Sequence, residues 1–138
     1  MKKKIIVFYN LLFLIIFLTA CVDEEPPITG CVDPYAINYN PQATNPDMSS
    51  CKYRATLSFF VTCPQTSLPV KIWVDDVYQG QITTKLFYTP SGCWADGSLT
   101  VVFERNRLVF DYKAQHNDGT VYEGTAVVPA NGCYRIEL

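Results

Sequence analysis

From Ala55 to the C-terminus, hydrophobic and polar residues alternate in short runs with the two-residue period of β-strands. In the first run, Leu57, Phe59 and Val61 would share one face. Aromatic and β-branched residues are frequent in these runs, which also favours strands, and no window has the period of an amphipathic helix. The predicted strands cover residues 56–62, 70–74, 77–88, 99–103, 108–114, 122–128 and 134–138.

Turn-forming residues separate the predicted strands. Asp75 and Asp76 would reverse the chain after the second strand, and the segment 117–119, Asn-Asp-Gly, is a strong hairpin signal. Gly80, inside the third run, predicts a bulge or a bend. Seven short strands in succession predict an all-β domain over residues 55–138, a small antiparallel β-sandwich that is immunoglobulin-like or related.

The first twenty residues have a different pattern. Three lysines follow Met1, an almost wholly apolar run covers residues 5–18, and two small residues precede Cys21. A basic start, a short apolar core and a small-residue exit are typical of a secretory signal peptide, here residues 1–20. The apolar run is shorter than the roughly 20 residues of a membrane span, so a short transmembrane anchor is the less favoured alternative.

Residues 18–21, Leu-Thr-Ala-Cys, resemble the lipobox of bacterial lipoproteins. The resemblance implies cleavage just before Cys21, a diacylglycerol on its sulfur, and an acyl chain such as palmitate on its new amine. Acyl chains contribute about 0.8 kcal/mol per buried CH₂, so such an anchor would hold the protein on a membrane. The expected location is the cell envelope, at the outer membrane and facing the exterior.

Residues 21–29 form an expected acidic, proline-containing tether. The acids at 23–25 resemble a surface-export signal of lipoproteins in some diderm bacteria, and a solvated tether explains them equally well. Without residues 1–20 and their three lysines, 8 basic residues remain against 13 acidic ones, a net charge of about −5. No basic cluster remains, so nucleic acid is not an expected partner.

Residues 30–53, here called the bracketed repeat, contain GCVDPYAINYNPQATNPDMSSC at 30–51. They resemble short repeats of secreted and surface proteins of marine bacteria, which are loosely similar to thrombospondin type 3 repeats. The segment has too few apolar residues for a core of its own, so a covalent clip between Cys31 and Cys51 is expected. A bridge closing a loop of this length is worth roughly 3 kcal/mol.

The bracketed repeat is also rich in side-chain oxygens without any soft ligand, a set that suits Ca²⁺ rather than Zn²⁺. The resemblance to calcium-binding repeats implies the same ion. Alternatively, these residues form turns beside three prolines, and this interpretation is preferred. The candidate ligands are Asp33, Asn38, Asn40, Asn45 and Asp47.

The stretch VKIWVDDVYQGQI, residues 70–82, resembles PEGA-type and carboxypeptidase-regulatory-like surface β-domains. In those domains a Val-Asp-Gly hairpin is followed by a further glycine. Here Asp76 stands where the turn glycine is usual. The resemblance implies a surface β-domain. Residues 111–138 resemble the C-terminal end of small Cys-containing lipoprotein domains from the same bacteria, which implies fold and location but no activity.

Six cysteines become five if Cys21 is lipidated, so one would have no partner within the chain. Following the strands alternately up and down places Cys63 and Cys93 at the same end of the sandwich. Their disulfide is therefore predicted, with Cys133 as the odd residue. The alternatives left open are that Cys133 pairs with Cys63 or stays buried as a small apolar residue.

No pattern in the chain predicts an enzyme. His116 is the single histidine, and it precedes a predicted turn, so it is expected at the surface. No nucleophile elbow, Cys-His signature, HExxH, CxxC or phosphate loop is present. Trp73 and Trp94 would either form an aromatic platform for a ligand, or pack under a loop or at a sheet edge.

The expected function is therefore that of a membrane-anchored envelope lipoprotein with a non-catalytic structural or adhesive β-sandwich. The alternative is a calcium- or carbohydrate-binding accessory lipoprotein. In either case the partners are the membrane, through the lipid, and a protein or glycan that the sequence does not identify.

Overall fold

The computed structural model describes residues 25–138, so the predicted signal peptide and Cys21 lie outside the described residues. A 3₁₀ turn covers Met48–Ser50. Within the described part there is no helix long and apolar enough to cross a membrane. The strands are β1 (Thr29–Gly30), β2 (Asn45–Pro46), β3 (Tyr53–Phe60), β4 (Val70–Val74), β5 (Val77–Ile82), β6 (Leu99–Arg105), β7 (Val109–Gln115), β8 (Val121–Val127) and β9 (Gly132–Glu137).

Seven of these strands, β3 to β9, form two packed sheets, and the predicted small β-sandwich is confirmed. The sheets have the orders β6-β3-β9 and β5-β4-β7-β8. Their pairs are antiparallel except β3 with β9, which is parallel. In an immunoglobulin constant domain the first strand shares a sheet with the second, fourth and fifth. Here it lies between the fourth strand of the sandwich and the last, so the strand order differs from that pattern.

The core lies between the two sheets and follows the predicted alternation. Leu57 and Phe59 of β3 are fully buried, as are Ile72 of β4 and Phe110 of β7. Tyr112 packs edge-on against Phe59, with ring centroids 5.7 Å apart. Burying each large apolar side chain of this kind stabilises the fold by about 1.5–3 kcal/mol, so the two-residue period is the main source of the architecture.

The β4–β5 hairpin has the predicted turn and bulge. Asp75 and Asp76 have φ angles of 48° and 62°, the positive pair that a type I′ turn requires. The register between β4 and β5 shifts between Ile72 and Trp73, opposite the segment that contains Gly80. Glycine suits this position because its φ is 140° and an added Cβ would lie 3.1 Å from Leu99.

One predicted strand is too long. The alternation predicts that the third run continues to Tyr88, but β5 ends at Ile82. Residues 83–98, here called the covering loop, leave the four-stranded sheet. They cross the outer face of the other sheet instead, which explains why outward-pointing residues of β3 such as Ser58 and Phe60 are also buried.

The bracketed repeat is held against one end of the sandwich. The Tyr53 hydroxyl donates a hydrogen bond to the Asp33 carboxylate over 2.5 Å. The Asn131 side-chain amide donates to the Tyr35 carbonyl over 2.7 Å. These contacts join residues distant in the chain, so the repeat is a docked part of the structure and not a free linker.

Candidate functional site

The covering loop is fastened to the outer face of the three-stranded sheet by buried residues and a disulfide. Leu86, Pro90 and Cys93 of the loop are buried. Cys93 is bonded to Cys133 of β9, with the two Cα atoms 6.0 Å apart. Because Cys133 is in register with Thr56, whose side chain points away from the core, the bridge lies on the outer face. The loop is thus a second layer over β3.

This bridge corrects the predicted Cys63–Cys93 disulfide, which is wrong. The prediction follows the strands alternately up and down, and it takes residues 77–88 as one strand and every strand pair as antiparallel. Instead the covering loop crosses the sheet, and β9 runs parallel to β3, which brings Cys133 beside the loop. Cys63 is exposed and is the free cysteine of the described residues.

Polar contacts hold the covering loop along its length. The Leu86 N–H donates to the Val61 carbonyl over 2.7 Å. The Thr100 hydroxyl donates to the Cys93 carbonyl, and the Arg135 guanidinium donates to the Pro90 carbonyl. Because both ends and the middle are fixed, side chains on the outer surface of the loop have a defined place.

Three aromatic side chains, here called the aromatic patch, project from this loop into solvent. Phe87 is fully exposed, Trp94 is 74% exposed and Tyr88 is 63% exposed. Tyr88 and Trp94 line a shallow open cavity of about 290 Å³ together with Pro90, Ser91, Gly92, Cys93 and Ala95. Exposed aromatic residues on a fixed backbone are costly to solvate and lose little freedom on binding, so the patch is the candidate site.

Trp73 does not join this patch. It alternates with buried Ile72 and Val74, so it points away from the core on the outer face of the four-stranded sheet. Its ring packs on Tyr78 at 5.4 Å, with the Lys113 ammonium 5.9 Å from the ring centre. Trp73 and Trp94 lie on opposite sides of the sandwich, and they do not form one platform.

The bracketed repeat contains the predicted bridge between Cys31 and Cys51, whose Cα atoms are 5.0 Å apart. Its candidate calcium ligands are all engaged in hydrogen bonds within the protein. Asp33 accepts from the Tyr35 N–H over 2.9 Å, an Asx turn, and Asp47 likewise accepts from Ser49. Asn38 accepts from Lys52, Asn40 accepts from Gln42, and Asn45 donates to Thr29.

These contacts support the turn-forming interpretation of the repeat. Within the described residues, no group of three or more His, Cys, Asp or Glu residues is arranged to hold a metal ion. Calcium binding stays a prediction.

Hydrogen bonds also shift the pKa values of this segment. The Tyr53 hydroxyl, followed by the Tyr35 N–H, lowers the pKa of Asp33. In return, the hydrogen bond to Asp33 raises the pKa of Tyr53. The Ser49 hydroxyl is the main cause of the lowered pKa of Asp47. Local hydrogen-bond donors therefore stabilise both carboxylates in the charged form.

Cys63 follows β3 in an exposed connection. The backbone N–H of Gln65 lowers the pKa of its thiol most, followed by the Thr66 hydroxyl, with a smaller contribution from the Lys85 charge. An exposed thiol with a lowered pKa is more reactive than an ordinary one.

His116 corrects another expectation, because it is not a surface residue. It is only 6% exposed, and its ring packs against Tyr122 at 5.0 Å. Its Nε2 atom is buried without a hydrogen-bond partner. His116 therefore packs at the start of the β7–β8 hairpin turn, against the ring of Tyr122.

An open groove of about 730 Å³ lies on the outer face of the four-stranded sheet. Two of its aspartates, Asp75 and Asp111, are engaged by neighbouring groups. Asp75 is bonded to Arg105 and accepts from the Asp111 N–H over 3.1 Å. Asp111 accepts from the Thr125 hydroxyl and lies 3.9 Å from Arg107. These contacts join the β4–β5 turn to β6 and β7, and β7 to β8.

Comparison with known proteins adds no assignment. No protein-family model matches the chain, and a search of curated proteins finds no match.

Proposed function

We propose that this protein is a lipid-anchored lipoprotein of the bacterial cell envelope, exposed on the outer membrane, with a non-catalytic adhesive or structural β-sandwich. The anchor is supported by the Leu-Thr-Ala-Cys motif at 18–21 and the apolar leader before it. The disulfides Cys31–Cys51 and Cys93–Cys133 suit an oxidising compartment outside the cytoplasm.

The single observation that carries the adhesive role is the aromatic patch on its disulfide-fastened loop. Interfaces are enriched in tyrosine, tryptophan and phenylalanine, and a few such residues supply most of the binding free energy. Phe87, Tyr88 and Trp94 lie on the outer surface of the second layer, where no other described element covers them. The patch is thus the surface that contacts a protein or glycan partner.

The envelope location is tested with whole cells. External protease should degrade the wild-type protein on intact cells, and antibody should label it. The variant Cys21→Ser should lose the lipid and leave the membrane fraction. Mass spectrometry of the native N-terminus should show an acylated Cys21. An unmodified thiol at that position, or an intact leader, would refute the anchor.

The adhesive surface is tested by Trp94→Ala and Phe87→Ala in a cell-adhesion and glycan-array assay. Each buried aromatic anchor of an interface contributes about 2 kcal/mol or more, so binding should weaken at least tenfold. The matched control is Tyr35→Ala, which removes another exposed aromatic ring, 77% exposed, from the bracketed repeat. Equal loss in the control would mean that the covering loop is not the contact surface.

A carbohydrate-binding accessory role is the second candidate. It is favoured by Tyr88 and Trp94, which flank a shallow cavity that also presents Ser91. Flat aromatic faces stack on sugar rings, and a nearby hydroxyl can bond a sugar hydroxyl. A reproducible array signal that Trp94→Ala abolishes would support this role over protein adhesion.

Calcium is tested separately by calorimetry on the full chain. Heat at millimolar Ca²⁺ that Asp33→Asn removes would support the ion, because a site of this kind belongs to the weak class of extracellular modules. An absence of both heat and thermal shift would end the calcium hypothesis and leave the aromatic patch unaffected.

A further inference from the structure

The four edge strands of the sandwich are protected unequally. A protein usually blocks unwanted strand pairing with bulges, charges or covering segments. β5 is distorted by the bulge at Gly80. β6 ends in Glu104 and Arg105, and β9 carries Arg135 and Glu137 and is bonded to the covering loop. Each of these three edges has at least one such device.

β8 is less protected, because it pairs with β7 without a bulge and carries a single charge. It is seven residues long, contains no proline, lysine or arginine, and has Glu123 as its one charged residue. Val127 is 64% exposed and Val121 is 43% exposed, so both ends of the strand present apolar side chains. Among the described residues, no strand pairs with its outer side.

The backbone of β8 is ready for a partner. The Val128 N–H donates to the Leu108 carbonyl, and the Thr120 carbonyl accepts from the His116 N–H, each over 2.9 Å. Backbone groups alternate in direction along a strand, so the even-numbered residues face β7. The N–H and C=O groups of the odd-numbered residues, 121, 123, 125 and 127, therefore point outward.

We propose that β8 pairs antiparallel with β8 of a second copy of this chain, about a twofold axis at Gly124. This register uses the whole strand and sets Val121 opposite Val127 of the other copy, and Glu123 opposite Thr125. All outward backbone groups then meet a partner. Shifting the axis to Glu123 would place two carboxylates directly opposite each other, which is unfavourable.

Gly124 fits the centre of this pairing for an independent reason. A Cβ at this position would lie 2.5 Å from the Tyr112 hydroxyl, so glycine is needed to seat that tyrosine. Its side opposite β7 is open as well, which lets two strands approach closely at the axis. The partner is a second copy because the pattern of β8 is self-complementary: it is apolar at both ends, and each Glu123 lies opposite Thr125 and not directly opposite the other Glu123.

The pairing joins two four-stranded sheets into one sheet of about eight strands. The aromatic patch lies over the other sheet of each copy, so it stays accessible. Two patches on one dimer would strengthen binding to a surface with many ligands through effective concentration. The dimer proposal does not depend on the proposed adhesive role, and an experiment can refute either one without the other.

The test is sedimentation velocity of the full chain in density-matched detergent over a range of concentrations. All variants carry Cys63→Ser, which removes dimers linked by the exposed thiol. The parent should form a reversible dimer. Val127→Glu should weaken the dimer at least tenfold. Adding Val121→Lys should restore it, because the introduced lysine then faces the introduced glutamate of the other copy.

The matched control is Val102→Glu, at another exposed valine, on edge strand β6, and it should leave the dimer unchanged. Hydrogen exchange of the parent gives a second measurement that needs no variant: the Glu123 and Thr125 amides should be protected in the dimer and exchange rapidly on dilution. A monomer at every concentration, a dimer insensitive to Val127→Glu, or no rescue by the double variant would overturn the proposal.

Discussion

Single residues set the turns of this protein, and the β4–β5 hairpin shows how. Two aspartates occupy left-handed backbone positions that glycine or asparagine fill more easily. Asp75 is compensated, because its carboxylate is bonded to Arg105 and to the Asp111 N–H. The Asp76 carboxylate makes no such hydrogen bond with the described residues.

We therefore expect Asp76→Gly to stabilise the protein. Relief of the left-handed strain should outweigh the added freedom of the unfolded chain and raise the free energy of unfolding by about 0.5–1 kcal/mol. Asp75→Gly is the matched variant at the adjacent position. It should lower the free energy of unfolding, because the hydrogen bonds of the Asp75 carboxylate are lost. Urea denaturation of both variants measures the difference. A destabilised Asp76→Gly would contradict this account of the turn.

Cys63 allows a residue-level check of the disulfide pattern. Alkylation of the unreduced protein should label Cys63 and leave Cys93 and Cys133 unlabelled. Because neighbouring donors lower its pKa from 9.0, half-maximal labelling should occur below that pH. Peptide mapping by mass spectrometry reads the site. Label on Cys133 in place of Cys63 would instead support the Cys63–Cys93 disulfide that the sequence predicts.

At the scale of elements, β3 is the unusual strand because it is buried on both faces. Its inner residues meet the core, and the covering loop shields outward residues such as Ser58 and Phe60. The position of the loop depends on the Cys93–Cys133 bridge, on the buried Leu86 and Pro90, and on its hydrogen bonds to the sheet below.

Removing the Cys93–Cys133 bridge should therefore loosen the covering loop before the sandwich itself unfolds. The double variant Cys93→Ala and Cys133→Ala loses a cross-link spanning 40 residues. Loop-closure entropy puts its contribution at about 4 kcal/mol. Denaturation should show this loss, and hydrogen exchange should accelerate first in residues 83–98. If the aromatic patch of this double variant binds with unchanged affinity, binding does not require a fixed loop.

At the scale of the whole molecule, the bracketed repeat and the sandwich are coupled through the Tyr53–Asp33 hydrogen bond. The pKa of Asp33 is lowered from 3.8, so its contribution to stability is present above about pH 4 and is lost as the pH falls through its folded value. The pKa of Tyr53 is raised from 10.0, so its contribution is present below that pH and is lost at more alkaline pH.

Tyr53→Phe should consequently melt at a lower temperature than the wild type at pH 7, and the gap should close as the pH falls below about 4. Thermal melts of both proteins between pH 7 and about pH 2 measure this. The variant Tyr39→Phe serves as a control, because it removes another hydroxyl from the repeat. A gap that persists at the acid end of that range would show that Tyr53 acts through packing and not through the Asp33 carboxylate.

Local pattern was enough to predict the strands apart from the end of the third, the hairpin turns, the bulge at Gly80 and the short Cys31–Cys51 loop, because each depends on neighbouring residues or on a two-residue period. Other features depend on contacts between distant segments. The parallel pairing of β9 with β3 decides the partner of Cys93, and the ring of Tyr122 decides the burial of His116. The aromatic patch arises in the same way: alternation predicts a strand over residues 83–88, whereas the need to cover the outer face of β3 draws them across the sheet and leaves Phe87 and Trp94 in solvent.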